Sequence, residues 1–389
     1  MRRIILIITI VFNLFGILIA QSDFEEYARQ QKQKFAEYKE SVTQQYKQFE
    51  FEEKLAFERY KREVEEKWEE FKSPTKKEYV EYGENKESRT SVDFENGTVT
   101  VEVLLEDEDN IEKAQEKLQK ATENIVNTTG ENDVPILQNQ LVSPKEEEIT
   151  PSNVQTLSKE LVQNEAVSVE TDHQGNDGIK RTKYSIVIPL KQTHLEERAK
   201  QYEKLVLKYS KKFKVDPAIV FAIIETESAF NPKAKSHIPA YGLMQLVPSS
   251  GAKDAYLYIQ ANARDAYSYI NQEDKYLNKS YLYNPENNIE LGCAYIAKIK
   301  YHYFKNINDD EKAYICTIPS YNTGIGNVSK TLSGKPKLEA ASKVANNLDS
   351  STLYNKLITE LKYKEARDYL NRVWERKNKY KNIDNAQDR

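Results

Sequence analysis

The helix-forming stretch Pro217–Phe230, PAIVFAIIETESAF, carries the residues whose types could do chemistry. At about 100° per residue, Ile219, Val220, Ile223 and Ile224 share one apolar face. Glu227 falls near the centre of that face, and Glu225 falls almost opposite. A carboxyl group set among aliphatic side chains is costly to ionise, so its pKa should rise. A raised pKa suits a general acid that works near neutral pH. A Glu at a helix end that makes only a structural hydrogen bond satisfies the same pattern equally well, and the helix alone does not choose between them.

Other chemistries find little support. The histidines His173, His194, His237 and His302 are scattered, and HExxH is absent. Two cysteines, Cys293 and Cys316, exclude an all-cysteine zinc site and a dense disulfide scaffold. Two small buried residues on separate helices is the favoured reading of the pair over a disulfide. With 12 glycines there is neither GxGxxG nor GxxxxGK[ST]. A net charge of -4 offers no basic excess for nucleic acid. No cofactor and no metal are called for.

Three motifs follow one another along the chain: ESAFNPKAKS, YGLMQLVP and SYNTGIGNV. Together, and in the spacing from Glu227 through Ser236 to Gln245, they resemble the lytic transglycosylases with the goose-type lysozyme-like fold. AIIETESAFNP, the segment Trp68 to Val101 with its YVEY and VDFENGTVTVE, and KYSIVIPLKQTHLEERA are similar to the membrane-bound lytic murein transglycosylase C group. The likeness runs from about Lys54 to the C-terminus and is strongest over 200–330.

The resemblance implies roles. Glu227 matches the family's single catalytic acid/base. Ser236 matches a hydroxyl that holds the sugar's N-acetyl region, and Met244 and Gln245 match residues lining the cleft beside the scissile bond. Tyr321 and Asn322 match the motif that floors the cleft, and Tyr369 matches a late tyrosine near the catalytic Glu. It also implies the reaction: cleavage of the β-1,4 bond between N-acetylmuramic acid and N-acetylglucosamine, closing a 1,6-anhydro sugar. One carboxyl group would act where ordinary glycosidases use two. Ser320 and Thr323 depart slightly from the family pattern. The stretch 251–288 is longer and Tyr-rich, and no lipid-site cysteine stands near position 21.

Two alternatives stand beside this reading. A goose-type hydrolase would need a second carboxylate to position water, and Asp254, Asp265, Glu273, Asp274, Glu286 and Glu290 are at hand. A non-catalytic wall-binding or scaffold protein would use the N-terminal regions. The partners expected are peptidoglycan glycan strands, with peripheral association to membrane or cell-wall machinery. Nothing in the sequence speaks to oligomeric state.

The elements that must position these residues can be read coarsely. Met1-Arg2-Arg3 and the apolar run Ile4–Ala20 read as a signal peptide cleaved after Ala20, or as an uncleaved anchor. Export to the periplasm or cell envelope of a bacterium follows. Residues 21–72 read as a long charged helix or helix pair, with a stop at Ser73-Pro74. Residues 73–192 read as a small α+β domain: a hairpin around Asn96-Gly97, helices over 111–126 and 152–165, and a strand over 181–190. A mainly α-helical lysozyme-like catalytic domain fills 193–389, so the class is α+β. Of 26 tyrosines, thirteen lie between Tyr241 and Tyr321. Tyr256, Tyr258, Tyr267, Tyr269, Tyr276, Tyr281 and Tyr283 are expected to extend a glycan-binding surface, whereas Tyr295 and Tyr314 are expected in the core.

Overall fold

A computed structural model of the protein describes residues 51–106, 111–130, 134–236, 239–262 and 272–381, with scattered positions between 26 and 48. The expected signal peptide, residues 1–20, lies outside the described residues. The chain divides into two compact units, one reaching to Phe71 and including Gly175–Asp177, the other made of Lys72–Gln174 and Gly178–Arg389.

In the first unit, α1 (residues 51–65) is the charged helix expected from the pattern, but it stops before Ser73-Pro74. The chain turns at Lys67-Trp68, whose amides both bond Val64 O. It then folds back so that Phe71 meets Phe57 at 5.6 Å and Tyr60 at 6.1 Å, edge to face. The amides of Asn176 and Asp177 take up the carbonyls of Glu65 and Glu66, which the helix end leaves open. Aromatic packing thus ends the helix ahead of the proline.

The second unit begins with five strands: β1 (Glu78–Tyr82), β2 (Ser88–Asp93), β3 (Thr98–Leu105), β4 (Ser168–Gln174) and β5 (Lys180–Pro189). They form one antiparallel sheet in the order β1-β2-β3-β5-β4. The hairpin expected at Asn96-Gly97 is present. Gly97 takes φ +69°, and Asp93 Oδ1 accepts from the amides of Glu95 and Asn96. Val99 faces Ile188 and Val101 faces Ile186 across β3 and β5. Those side chains bury against α2 (Ile111–Asn127) and α3 (Val154–Asn164) through Leu118, Ile125 and Leu161. Both helices and the β5 strand fall where the periodicity places them. Strands β1 and β4 were not expected; β4 is exposed at six of its seven positions and so lacks an alternating pattern.

The remainder is helical. The helices are α4 (His194–Phe213), α5 (Pro217–Ser228), α6 (Lys253–Asn262), α7 (Glu273–Tyr276), α8 (Lys279–Tyr283), α9 (Pro285–Ala297), α10 (Asp310–Thr323), α11 (Ile325–Ser333), α12 (Leu338–Asn347), α13 (Ser350–Glu360) and α14 (Lys364–Tyr380). Their core is a second hydrophobic cluster that runs from Ala199 to Tyr380. The α+β class is therefore as expected. Among the described residues no helix is long and apolar enough to cross a membrane. Cys293 and Cys316 are buried free thiols, so the disulfide alternative is set aside.

Candidate active site

Helix α5 is the element on which the site is built. Asp216 caps it by accepting from Ala218 N at 2.8 Å, and Pro217 occupies the first helical position. Every residue from Ala218 to Ser228 is buried. A helix that is apolar nearly all round belongs inside a core, and α4 and α14 cover it.

This burial also encloses Glu225. The position opposite the apolar face is as enclosed as the face itself. Glu225 is 2 % exposed and is met by three donors from α14: Tyr380 Oη at 2.6 Å, Lys379 Nζ at 2.9 Å and Arg376 Nε at 3.1 Å. Arg376 also donates to Thr226 Oγ1 at 3.1 Å. One face of α5 is thereby fastened to the helix that carries Tyr369.

The end of α5 is held in an unusual backbone. Ala229 and Phe230 both take left-handed dihedrals, φ +48° and +59°. For residues with a Cβ this conformation costs roughly 1–2 kcal/mol each. Arg198 of α4 stabilises the turn by donating to Ala229 O at 3.0 Å and to Phe230 O at 2.7 Å. Its guanidinium lies 3.6 Å over the Phe94 ring, and burial pulls its pKa down to about 10. The turn is what leaves Glu227 in the last turn of α5, at a cleft.

The cleft has a volume of about 790 Å³ and is lined by Glu227, Ser236, Gln245, Tyr295, Tyr321, Asn322, Lys76 and Glu365, among others. Glu227 is 7 % exposed. Burial pushes its carboxyl above the ordinary value, opposed by Lys76, whose Nζ stands 3.6 Å from Oε2, and by the neighbouring Tyr369. Tyr369 is enclosed, and burial and the nearby Glu227 push its pKa far up. Its hydroxyl faces Glu227 without a hydrogen bond of ordinary geometry.

The loop Tyr241–Leu246 forms the neighbouring wall. Tyr241 and Leu246 exchange both backbone hydrogen bonds at 3.1 Å. Gln245 takes φ +48°, and its Nε2 donates to Ala234 O and Gly242 O, both at 2.9 Å. Its Oε1 is buried with no partner. Asn288, wholly buried in α9, accepts from Met244 N at 2.8 Å and donates to Tyr241 O and Leu282 O. Gly242 needs its hydrogen: at φ +74° a Cβ would fall 2.4 Å from Leu282 O. Gly242→Ala should therefore lower the melting temperature by several degrees and cut activity, with calorimetry as the check; an unchanged Tm would contradict this account of the loop.

Six of the seven expected residues gather here. Glu227, Ser236, Gln245, Tyr321 and Asn322 line the cleft, and Tyr369 stands behind Glu227. Met244 lies beneath instead. Its side chain is fully buried against Gly292, where an added Cβ would meet Sδ at 2.1 Å, and its carbonyl accepts from Tyr321 Oη at 2.8 Å. Lys76, Asn288 and Arg198 were not singled out: Lys76 and Arg198 lie in segments that carry the resemblance, but no local pattern marks any of the three as part of the site.

The tyrosines are also redistributed. Tyr256 and Tyr276 pack at 5.5 Å, Tyr276 and Tyr281 at 5.0 Å, and Tyr241 and Tyr283 at 5.4 Å. Tyr258 too packs against the helical core. Of the seven expected at the glycan surface, the five described, Tyr256, Tyr258, Tyr276, Tyr281 and Tyr283, do not line the cleft; Tyr256 is buried and the other four are half-buried, while Tyr267 and Tyr269 lie outside the described residues. Tyr295, expected in the core, lines the cleft 5.1 Å from Tyr321. Tyr314 is buried as expected and accepts from Asp216 N at 2.6 Å.

Comparison with known proteins fits this layout. The family model described as the transglycosylase SLT domain matches residues 204–344, and that of the membrane-bound lytic murein transglycosylase C N-terminal domain matches 42–201. The membrane-bound lytic murein transglycosylase C of Glaesserella parasuis is 30 % identical over 314 residues, covering 79 % of this chain and 80 % of that protein. The protein of the same name from Klebsiella pneumoniae is 30 % identical over 312 residues, covering 76 % and 79 %. Among solved structures, an inactive mutant of the lytic transglycosylase Slt from Pseudomonas aeruginosa aligns at TM-score 0.33 and 22 % identity, covering 47 % of this chain and 24 % of that one. The 70 kDa soluble lytic transglycosylase of Escherichia coli aligns at 0.35 and 14 %, covering 69 % and 43 %. This chain thus spans less than half the length of either solved enzyme. By the relatives matched along most of its length, the chain belongs to the membrane-bound lytic murein transglycosylase C family.

Proposed function

We propose that the protein cleaves the β-1,4 bond between N-acetylmuramic acid and N-acetylglucosamine in peptidoglycan and leaves a 1,6-anhydro-N-acetylmuramic acid end. The observation that carries this reading is a single enclosed carboxyl group, Glu227, whose pKa burial raises, at the floor of a cleft. In the first step Glu227 gives its proton to the glycosidic oxygen as the C1–O bond breaks. The muramic acid's own acetamido oxygen closes on C1 and carries the positive charge. The Glu227 carboxylate then removes the proton from the C6 hydroxyl, and O6 displaces the acetamido oxygen from C1. Glu227 ends protonated and no water is consumed. Its aliphatic surroundings suit both steps, since they favour the neutral acid and keep competing water away.

The other residues take supporting parts. Ser236 holds the N-acetyl region, and Gln245 brings an unfilled acceptor to the same wall. Tyr321 and Asn322 floor the cleft, Met244 supports Tyr321 from below, and Tyr369 backs the carboxyl group. A hydrolase would need a second carboxylate over the cleft. Asp254 is engaged by Lys298, Glu273 by Lys253, Glu286 by Lys208 and Glu290 by Lys212, and none of the four lines it; Glu365 of α14 does line it as an exposed residue, so the products of digestion must decide against hydrolysis. Asp265 lies outside the described residues.

With this reading goes the division into signal peptide 1–20, charged helical segment 21–72, α+β domain 73–192 and catalytic domain 193–389. Export to the cell envelope and peripheral attachment near the wall follow from it. Digestion of purified sacculi tests the proposal: anhydro-ended muropeptides are expected, and reducing-ended products would favour hydrolysis.

A further inference from the structure

We infer that Lys76 is a positioning residue for the reaction, holding a positive charge against Glu227 so that the carboxylate formed in mid-cycle is stabilised. The inference rests on the acid/base role proposed for Glu227.

Lys76 precedes β1, in a segment with no catalytic motif. Its Nζ nevertheless stands 3.6 Å from Glu227 Oε2, with the lysine side chain 38 % exposed and the carboxyl side chain 9 % exposed. The backbone around it is fixed. Asn231 Nδ2, from the loop after α5, donates to Lys76 O at 3.3 Å. The next carbonyl, Lys77 O, accepts from Phe94 N at 2.9 Å.

The side chain of Lys77 opens a line of alternating charge. It pairs with Glu95 of the β2–β3 turn, and Glu95 pairs with Arg376 of α14 at 3.2 Å. Arg376 pairs with Glu225 of α5 at 3.1 Å. Burial alone would push Glu95 up, but Lys77 and Arg376 hold it below the ordinary carboxylate value, so the link is ionised. Lys77 adjoins Lys76, and Glu225 lies on the same helix as Glu227. One network therefore ties the backbone beside Lys76 to the helix that carries Glu227. A lysine that only decorated the rim would not need such fastening.

The charges around Glu227 show what the cation does. Tyr321 faces it from α10, and Tyr369 and Glu365 face it from α14. The tyrosines are neutral, and Glu365 disfavours a second negative charge. Lys76 brings the positive charge that opposes burial. Burial favours the protonated acid before the reaction. Lys76 lowers the energy of the carboxylate left when the proton passes to the leaving oxygen, a charge absent from the ground state.

Lys76→Met and Lys76→Arg in the full chain test this, with two readouts. The Glu227 carboxyl midpoint is measured by NMR on protein labelled with 13C-carboxyl glutamate, its signal assigned by loss in Glu227→Gln. Rates on purified sacculi are measured against pH. In Lys76→Met the midpoint should move to higher pH, and kcat should fall about threefold to tenfold with KM little changed; Lys76→Arg should restore both. An unmoved midpoint in a folded Lys76→Met protein overturns the inference, even if activity falls, because Lys76 would then serve structure or substrate binding alone. A shifted midpoint in a protein whose wild type releases no muropeptides overturns the functional reading, and the role of Lys76 in the reaction with it, while leaving its charge coupling to Glu227 demonstrated.

Discussion

Glu227→Gln removes turnover of purified sacculi by at least about a hundredfold to ten-thousandfold, the range for loss of a positioned general acid. The amide has the size of the carboxyl group but neither gives the first proton nor accepts the second. Both halves of the cycle fail together. The same substitution raises stability at neutral pH. Burial lifts the folded-state pKa of Glu227 above its unfolded value, so the folded state binds the proton more tightly than the unfolded state. Stability from this group is full below the unfolded value of about 4.3 and falls as pH rises through the folded one. Glutamine has nothing to lose over that window. Melting curves for the two proteins should coincide in acid and separate toward neutral pH, with the variant higher. Retention of more than about a tenth of wild-type activity would remove Glu227 from the centre of the reaction.

Glu225→Ala produces the largest loss of stability. Its carboxylate is 2 % exposed and accepts from Arg376, Lys379 and Tyr380 at once. Deleting it strands the Arg376 guanidinium, whose side chain is 17 % exposed, and leaves the Tyr380 hydroxyl unpaired. Breaking a buried pair from one side costs about 3–5 kcal/mol. In a unit of this size that lowers Tm by roughly 6–15 °C. Because Arg376 also holds Glu95, the segment that carries Lys76 loosens with it. Calorimetry and the sacculus assay both read the result. A change within about 0.5 kcal/mol, as at an exposed position, would show that the network does not bind α5 to α14.

Much of this site was legible before the fold was known. The aliphatic spacing of α5 drew attention to Glu227 without choosing its role, and it was the family resemblance carried by the three motifs that brought in Ser236, Gln245, Tyr321 and Asn322 as candidates. The hairpin at Asn96-Gly97 and helices α2 to α5 followed from turn chemistry and period. Where the reading failed, the cause was tertiary. Glu225 was placed only opposite the apolar face, because periodicity marks one apolar face and is silent on whether a charged helix, here α14, covers the other. Lys76 and Arg198 act through single long side chains that reach over from distant segments, and no local pattern announces such contacts. The tyrosines of α6 to α8 were assigned to sugar by their abundance, whereas Tyr256, Tyr276, Tyr281 and Tyr283 pack on other rings and Tyr258 packs on the helical core. Met244 sits beneath the cleft because Gly292 leaves room for its sulfur. Strand β4, exposed on both faces, gave no alternation to read.

The central claim is that one carboxyl group serves as acid and then as base, with the sugar's own hydroxyl in place of water. Mass spectrometry of muropeptides released from purified sacculi in isotopically heavy water tests it most directly. Ends lighter than the reducing sugar by one water, with no solvent oxygen incorporated, are the predicted result. Reducing ends that carry solvent oxygen would contradict it.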